Sequence, residues 1–394
     1  MIALLVNSLT SGGAEKVVLT LLQNFRKSTD QISLYCIEKE QFYSPPSSIP
    51  THYLTKFETL EKSWLNIIYL LLSAYRLKQE VKEKNIQVVQ SHLPRASFIN
   101  VLARLMGARH HAQIVIHSRL NFEHKVWPIR WLERSLYQQL FNRADSIISI
   151  CELMRQEANS YLRLSQHPQH QVIYNPHQLE EIRRKAKERI EDFNFLSDHR
   201  YIVCVGRMVK RKGLDHLVVA FQEVLRKHPH TKLLFIGDGA EKAAVEQQVN
   251  TLNIHKAVVF LGYQSNPYAF IARADILVLA SETEGLPNIL IEALACGTPV
   301  ISSDCISGPR EILSPHTDLT HQLSDQLEEG TYGLLFPVGN IDLLAQGINR
   351  LLEDQALWKG YRQRADQRAR DFDATVIAQQ YLQTFPQAQT HQWA

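Results

Sequence analysis

Short apolar runs alternate with longer helical patterns along almost the whole chain, and this alternation limits the fold more than any other feature. Strand-like runs occupy residues 2–7, 32–37, 87–91, 113–117, 146–150 and 172–174, and then 201–205, 232–236, 258–261, 276–280, 299–303 and 334–336. Helical patterns at 14–26, 64–84, 95–106, 127–142, 214–227, 241–252, 289–296 and 341–353 separate most of them. Apolar strands divided by helices predict an α/β architecture with parallel sheets. The polar, charge-rich stretch 178–199 divides the strands into two series, which predicts two Rossmann-like halves joined near residues 176–199. A length of 394 residues is more than one ordinary core accommodates.

Open parallel sheets bind ligands beyond the carboxyl ends of their strands, so the loops after strands are informative. After the first strand, Gly12-Gly13 opens a helix, where glycine permits close approach and free N–H groups favour an anion. This is neither a G-x-G-x-x-G fingerprint nor a Walker A loop. After strand 201–205, Gly206-Arg207-Met208-Val209-Lys210-Arg211-Lys212-Gly213 crowds four cations into one loop. Lys210 and Arg211 read as solvated, whereas Arg207, directly after the strand, and Lys212, directly before a helix, are placed to meet a diphosphate. In the first half, His92 follows one strand and His117 ends another.

The run from Ser281 to Gly297 holds Glu284 and Glu292, eight positions apart. Pro287 stands where a helix begins and Gly297 where it ends. Residues 289–296 are apolar except for Glu292, the pattern of a buried helix. A carboxylate there is costly unless bound, and as a pure acceptor it suits sugar or ribose hydroxyls. Taken singly, Glu284 reads better as a surface-loop residue and Glu292 as one that snorkels or pairs with an arginine. The pair with its punctuation favours a ligand site.

The net charge of +3 gives no argument for nucleic acid as a partner. Five scattered cysteines without a C-x-x-C pair predict reduced thiols, and no zinc-ligand spacing occurs. The amino terminus reads as a strand, not a signal peptide. The apolar stretch Trp64–Leu72 is too short to span a bilayer. It runs into Lys78, Lys82 and Lys84, so it reads first as a core helix with a solvated end, with a helix lying on a membrane as the alternative. Trp127, Arg130, Trp131 and Arg134 pose the same choice.

With these pieces assembled, the chain resembles the retaining glycosyltransferases of family 4, which have the GT-B fold. The match rests on Ser11-Gly12-Gly13-Ala14-Glu15, Val205-Gly206-Arg207 with Lys212-Gly213, Gly237-Asp238-Gly239, Phe260-Leu261-Gly262, the Glu284/Glu292 pair and Ala295-Cys296-Gly297-Thr298-Pro299. Variants at Leu286-Pro287-Asn288 and Ser307–Glu311 resemble bacterial enzymes of surface-polysaccharide, lipopolysaccharide or lipid-linked glycan synthesis. The resemblance implies two Rossmann-like domains facing across a cleft. Residues 1–177 would bind acceptor and 178–371 the nucleotide-sugar donor, with a final helix at about 372–386 crossing back onto the first. It implies that Arg207 and Lys212 neutralise the donor diphosphate, that Glu284 lies near the transferred sugar, and that Glu292 accepts ribose hydroxyls. Backbone N–H groups at Leu286, Asn288 and Ile289 would help to hold phosphate. Gly262-Tyr263 would lie beside the base, Gly12 and Gly13 would approach the diphosphate, and His117 would touch the donor sugar. His92, Arg95 and Arg119 are candidates for the acceptor.

The implied activity is transfer of a hexose or N-acetylhexosamine, with retention, from a donor expected to be UDP-linked to a glycan or lipid-linked acceptor. Neither metal nor cofactor is expected. The implied place is cytoplasmic, with peripheral contact on the inner face of the membrane. A UDP-sugar 2-epimerase of the same fold and a non-catalytic nucleotide-sugar binder are the alternatives.

Overall fold

A computed structural model describes residues 1–10, 12–55, 65–119, 127–164, 167 and 169–386. Ser11, Trp64, the side chain of Trp127 and residues 387–394 lie outside that description. The chain forms two compact units. One comprises Met1–His177 together with the chain from Ala374 on, and the other is Gln178–Asp373.

The first unit is built on β1 (Ile2–Val6), β2 (Ile32–Cys36), β3 (Thr51–Tyr53), β4 (Val88–His92), β5 (His111–Ile116), β6 (Ser146–Ser149) and β7 (His170–Val172). Their order is β3-β2-β1-β4-β5-β6-β7, and every pairing is parallel. The second unit holds β8 (Arg200–Val205), β9 (Thr231–Ile236), β10 (Val258–Gly262), β11 (Ile276–Leu279), β12 (Val300–Ser303), β13 (Glu328–Glu329) and β14 (Leu334–Phe336). Its order is β10-β9-β8-β11-β12-β14-β13, parallel but for the β13–β14 edge. Both sheets reverse their winding beside the first strand of the series, between β1 and β4 and between β8 and β11, which is where such sheets open a crevice.

Helices cover both faces of such sheets, so the strands are apolar almost without alternation, as in Ile2–Val6 and Ile276–Leu279. Leu5, Tyr35, Leu77 and Ile99 lie in the first core, and Phe221, Phe235, Ile276 and Ile348 in the second. Each such fully buried Leu, Ile or Phe contributes about 1.5–3 kcal/mol.

The stretch 178–199 is not simply a polar connector. Leu179–Ala186 is a helix that buries Leu179, Ile182 and Ala186, a narrow stripe hidden among charges. Beyond it, Phe193 and Phe195 stack with Tyr201 and Phe270. The chain returns to the first unit at Ala374, whose N–H donates to the His177 carbonyl at 2.9 Å. Helix Ala374–Gln383 follows, and Phe385 meets Phe25 edge-on at 6.0 Å. Among the described residues, no helix is long and apolar enough to cross a membrane.

Candidate functional site

The predicted residues of the second unit lie in loops beyond the carboxyl ends of its strands. After β8, a short 3-10 turn, Lys210–Lys212, brings the basic loop to helix Leu214–Lys227. Gly213 makes that joint possible. Its φ is +58°, and an added Cβ would lie 2.3 Å from the Ala280 carbonyl oxygen, so only glycine lets the loop press against the end of β11. Across this contact Glu284 Oε1 accepts from Lys212 Nζ at 2.6 Å and from Ser281 Oγ at 2.7 Å. Arg211 lies 3.7 Å from Oε2 and donates to the Thr283 carbonyl, while its own carbonyl accepts from the Glu282 N–H. Arg211, expected to be merely solvated, therefore ties the two loops together. Arg207 is exposed at the mouth of the loop. Below it a small recess is lined by Cys204, Val205, Gly206, Lys212, Phe235 and Leu279.

The loop after β12 supports the Glu284 turn from behind. Ser307 Oγ donates to the Gly285 carbonyl at 3.0 Å, and a Cβ on Gly308 would fall 2.3 Å from the same oxygen. Arg310, 2% exposed, anchors this loop through Asp304 at 2.7 Å and Glu328 at 2.9 Å. Helix Asn288–Ala295 begins after Pro287 with no side-chain cap, and its Leu290 N–H donates to the Pro287 carbonyl at 3.0 Å. Leu286 is buried, and Asn288 and Ile289 are half-buried. Glu292 is buried on that helix, as its sequence pattern predicts, and accepts from the Tyr268 hydroxyl at 3.3 Å. Gly262 has φ +64° and Tyr263 beside it is largely exposed.

In the first unit, helix Gly13–Ser28 starts at Gly12. The space left by the absent side chain is taken by Glu15, whose Oε2 would be 2.1 Å from a Cβ at residue 12, while its Oε1 accepts from Thr10. Within this unit Gly12 makes room for the Glu15 carboxylate. Gly13 is the first residue of the helix. His117 stands just past β5, half-buried, and its Nε2 lies 2.7 Å from His92 Nδ1. His92 is wholly buried at the end of β4, so direct contact with an acceptor gives way to support of His117. Burial lowers the His117 pKa to about 4. Burial, then the neighbouring His117, lowers that of His92 well below the usual range. Both rings are neutral near pH 7. Arg95 pairs with Glu38 at 2.6 Å and Arg119 with Glu157 at 2.9 Å, so each acceptor candidate already has a carboxylate partner.

Other arrangements lie away from these loops. The one Asp-x-Asp of the chain, Asp371-Phe372-Asp373, follows a helix instead of a strand, and Asp371 is paired with Arg368 at 2.6 Å. Asp198, His199 and His230 could together hold a cation, but they sit at the entry of β8 and β9, the opposite end of the sheet from Lys212. Ser281, Arg211 and Tyr268 were not anticipated as partners of the two glutamates. The serine three residues before Glu284 was the only local signal.

Residues 185–372 match the family described as Glycosyl transferases group 1, and residues 11–181 the one described as Glycosyltransferase Family 4. A relative from Campylobacter jejuni, N-acetylgalactosamine-N,N'-diacetylbacillosaminyl-diphospho-undecaprenol 4-alpha-N-acetylgalactosaminyltransferase, is 29% identical over 97% of this chain and 98% of its own length. The lipopolysaccharide 1,6-galactosyltransferase of Salmonella typhimurium is 24% identical over 88% of each chain. The crystal structure of Anabaena Alr3699/HepE in complex with UDP and glucose has the same fold, with a TM-score of 0.74 and 20% identity over 97% of this chain and 98% of that one.

Proposed function

Because this chain belongs to the glycosyltransferases of the GT-B fold, we propose that it moves a hexose or N-acetylhexosamine from a UDP-sugar to a lipid-linked or lipopolysaccharide glycan, with retention and without a metal. The observation that carries this reading is the Lys212–Glu284–Ser281 cluster, formed by two loops that meet beyond β8 and β11. Breaking the sugar–phosphate bond leaves negative charge on the diphosphate. Lys212 and Arg207, with the positive end of the dipole of helix Asn288–Ala295, are the groups to neutralise it. Glu284 holds the Lys212 ammonium in place and offers its carboxylate to sugar hydroxyls, while Glu292 offers acceptors to the ribose. In this reading residues 1–177 receive the acceptor, 178–371 hold the donor, and His117 reaches the donor sugar. The acceptor class follows the names of the Campylobacter and Salmonella relatives, and the UDP donor follows the ligands of the Anabaena structure.

An acceptor on a lipid requires approach to a membrane surface. Helix Leu65–Glu83 exposes Ile68, Leu71, Leu72 and Tyr75, each by 44–52%. That spacing puts them on one face. Trp131, Leu132 and Leu136 are likewise exposed on helix Trp127–Phe141. These rows support peripheral contact with the inner leaflet, with the enzyme on the cytoplasmic side.

The test is a thermal-shift screen with UDP-, GDP- and ADP-sugars, paired with Glu284→Ala. UDP-sugars alone should raise the melting temperature, and the variant should fold but transfer no sugar. Stabilisation by GDP-sugars only, epimerisation of UDP-N-acetylglucosamine without acceptor, or normal turnover by the variant would each sink the proposal.

A further inference from the structure

The middle of the first sheet carries amides, whereas β11, at the matching place in the second, is Ile276–Leu279. Gln90 on β4 lies opposite Gln113 on β5, which lies opposite Ser146 on β6. All three are wholly buried. His92 is two residues beyond Gln90, and His117 four beyond Gln113, so strand periodicity places them on the same face. Side chains on this face form a continuous hydrogen-bonded line. Thr384 lies 2.7 Å from Gln113 Nε2, Gln113 Oε1 2.5 Å from Gln90 Nε2, Gln90 Oε1 3.1 Å from His92 Nε2, and His92 Nδ1 2.7 Å from His117 Nε2.

The direction of every bond in this line follows from one end. Thr384 donates its hydroxyl proton to the Tyr381 carbonyl at 2.6 Å, and a carbonyl can only accept. Thr384 Oγ1 must therefore accept from Gln113, whose NH2 faces it. The Gln113 carbonyl oxygen then faces Gln90 and takes a proton from the Gln90 NH2. That leaves the Gln90 oxygen toward His92, whose Nε2 must carry its proton. His92 is neutral in this dry site, so its Nδ1 is a lone pair. The only proton left for the short bond between the two rings is on His117 Nε2.

We infer that Thr384, Gln113, Gln90 and His92 are positioning residues that lock His117 in its Nε2–H tautomer and leave Nδ1 as the acceptor it offers to a hydroxyl of the donor sugar. This rests on the reading that His117 meets that sugar. A neutral imidazole without such a line exchanges tautomers, and part of its population would present an N–H where an acceptor is required. The line ends in the segment after helix Ala374–Gln383, so the return of the chain to the first unit contributes the group that sets its direction.

The experiment is nitrogen-15 NMR of ring-labelled histidines in the full-length protein, with His92 and His117 assigned from His→Gln variants. In wild type both should show a protonated Nε2 and a bare Nδ1. The opposite tautomer of His117, an exchange average, or an imidazolium at pH 7 overturns the inference. Gln90→Met cuts the line while keeping its volume. It should shift His117 toward the other tautomer and lower kcat about tenfold, the effect of one misdirected hydrogen bond. KM for the UDP-sugar should change less than kcat. Thr384→Val, at the rim, should give a smaller change of the same sign and serves if Gln90→Met does not fold. An altered tautomer with wild-type turnover overturns the link to transfer, because it removes His117 from the donor site while leaving the hydrogen-bonded line intact. An unaltered tautomer in both variants overturns the line itself.

Discussion

The two sheets share the order of their first five strands and differ in what they bury. In the second unit, β11 is Ile276–Leu279, and the charged groups of interest are confined to loops past the strand ends. In the first unit, β4 and β5 carry Gln90, Ser91, His92 and Gln113 within the sheet, all wholly buried. One fold thus places its chemistry in two ways. The apolar sheet is a rigid frame for loops that can be exchanged freely. The polar sheet is itself the device, because each buried amide and imidazole must find its partner or cost about 1–3 kcal/mol.

The comparison breaks most decisively at Lys212. Lys212→Ala should reduce transfer about 10²- to 10³-fold, the usual effect of removing one preorganised charge-stabilising donor. It should leave the second unit folded, because the apolar frame does not depend on the loop. Treatment with EDTA should leave wild-type transfer intact, and a loss restored by added metal would refute the cationic mechanism. Kinetics alongside calorimetry separate these outcomes.

Acid should distinguish the units next. Burial lowers the pKa of His110, His117 and His170 to about 4, and all three belong to the first unit. The unfolded chain takes up these protons near pH 6.5, while the folded unit resists until about pH 4. Stability is therefore complete above the unfolded value and falls as the pH drops through this window. His110, 9% exposed, should alone account for a loss on the order of 3 kcal/mol. Hydrogen exchange at pH 7 and pH 4.5 should show the first unit opening while the second holds. Equal loss in both would erase the contrast. The smallest effect belongs to the surface. Leu71→Glu with Leu72→Glu should weaken binding to anionic vesicles about tenfold with the core unaffected. Unchanged sedimentation with vesicles would remove the membrane reading.

The contrast also explains what could be read from sequence. Runs such as Ile276–Leu279 announce themselves, because a strand buried on both faces is written in adjacent residues. The Glu284/Glu292 spacing was legible from neighbouring residues too, whereas the packing of Gly213 on Ala280 was not. β3, with three residues, and the helix Leu179–Ala186, with its apolar stripe masked by charge, were not. Pairings were less legible still. Arg211 meets the Glu284 turn from 72 positions away, and Gln113 meets Thr384 from 271 away. No local pattern encodes such encounters. Gln90 and Gln113 look in sequence like flaws in strands, and only their mutual register gives them meaning.

The hydrogen bond from the Ala374 N–H to the His177 carbonyl has an evolutionary corollary. It closes the mouth of a single uninterrupted insertion, Gln178–Asp373, so the inserted segment leaves and rejoins its host at one point. A segment whose two ends adjoin in this way can be transplanted between related chains by two crossovers at that spot, without disturbing the host's strand order.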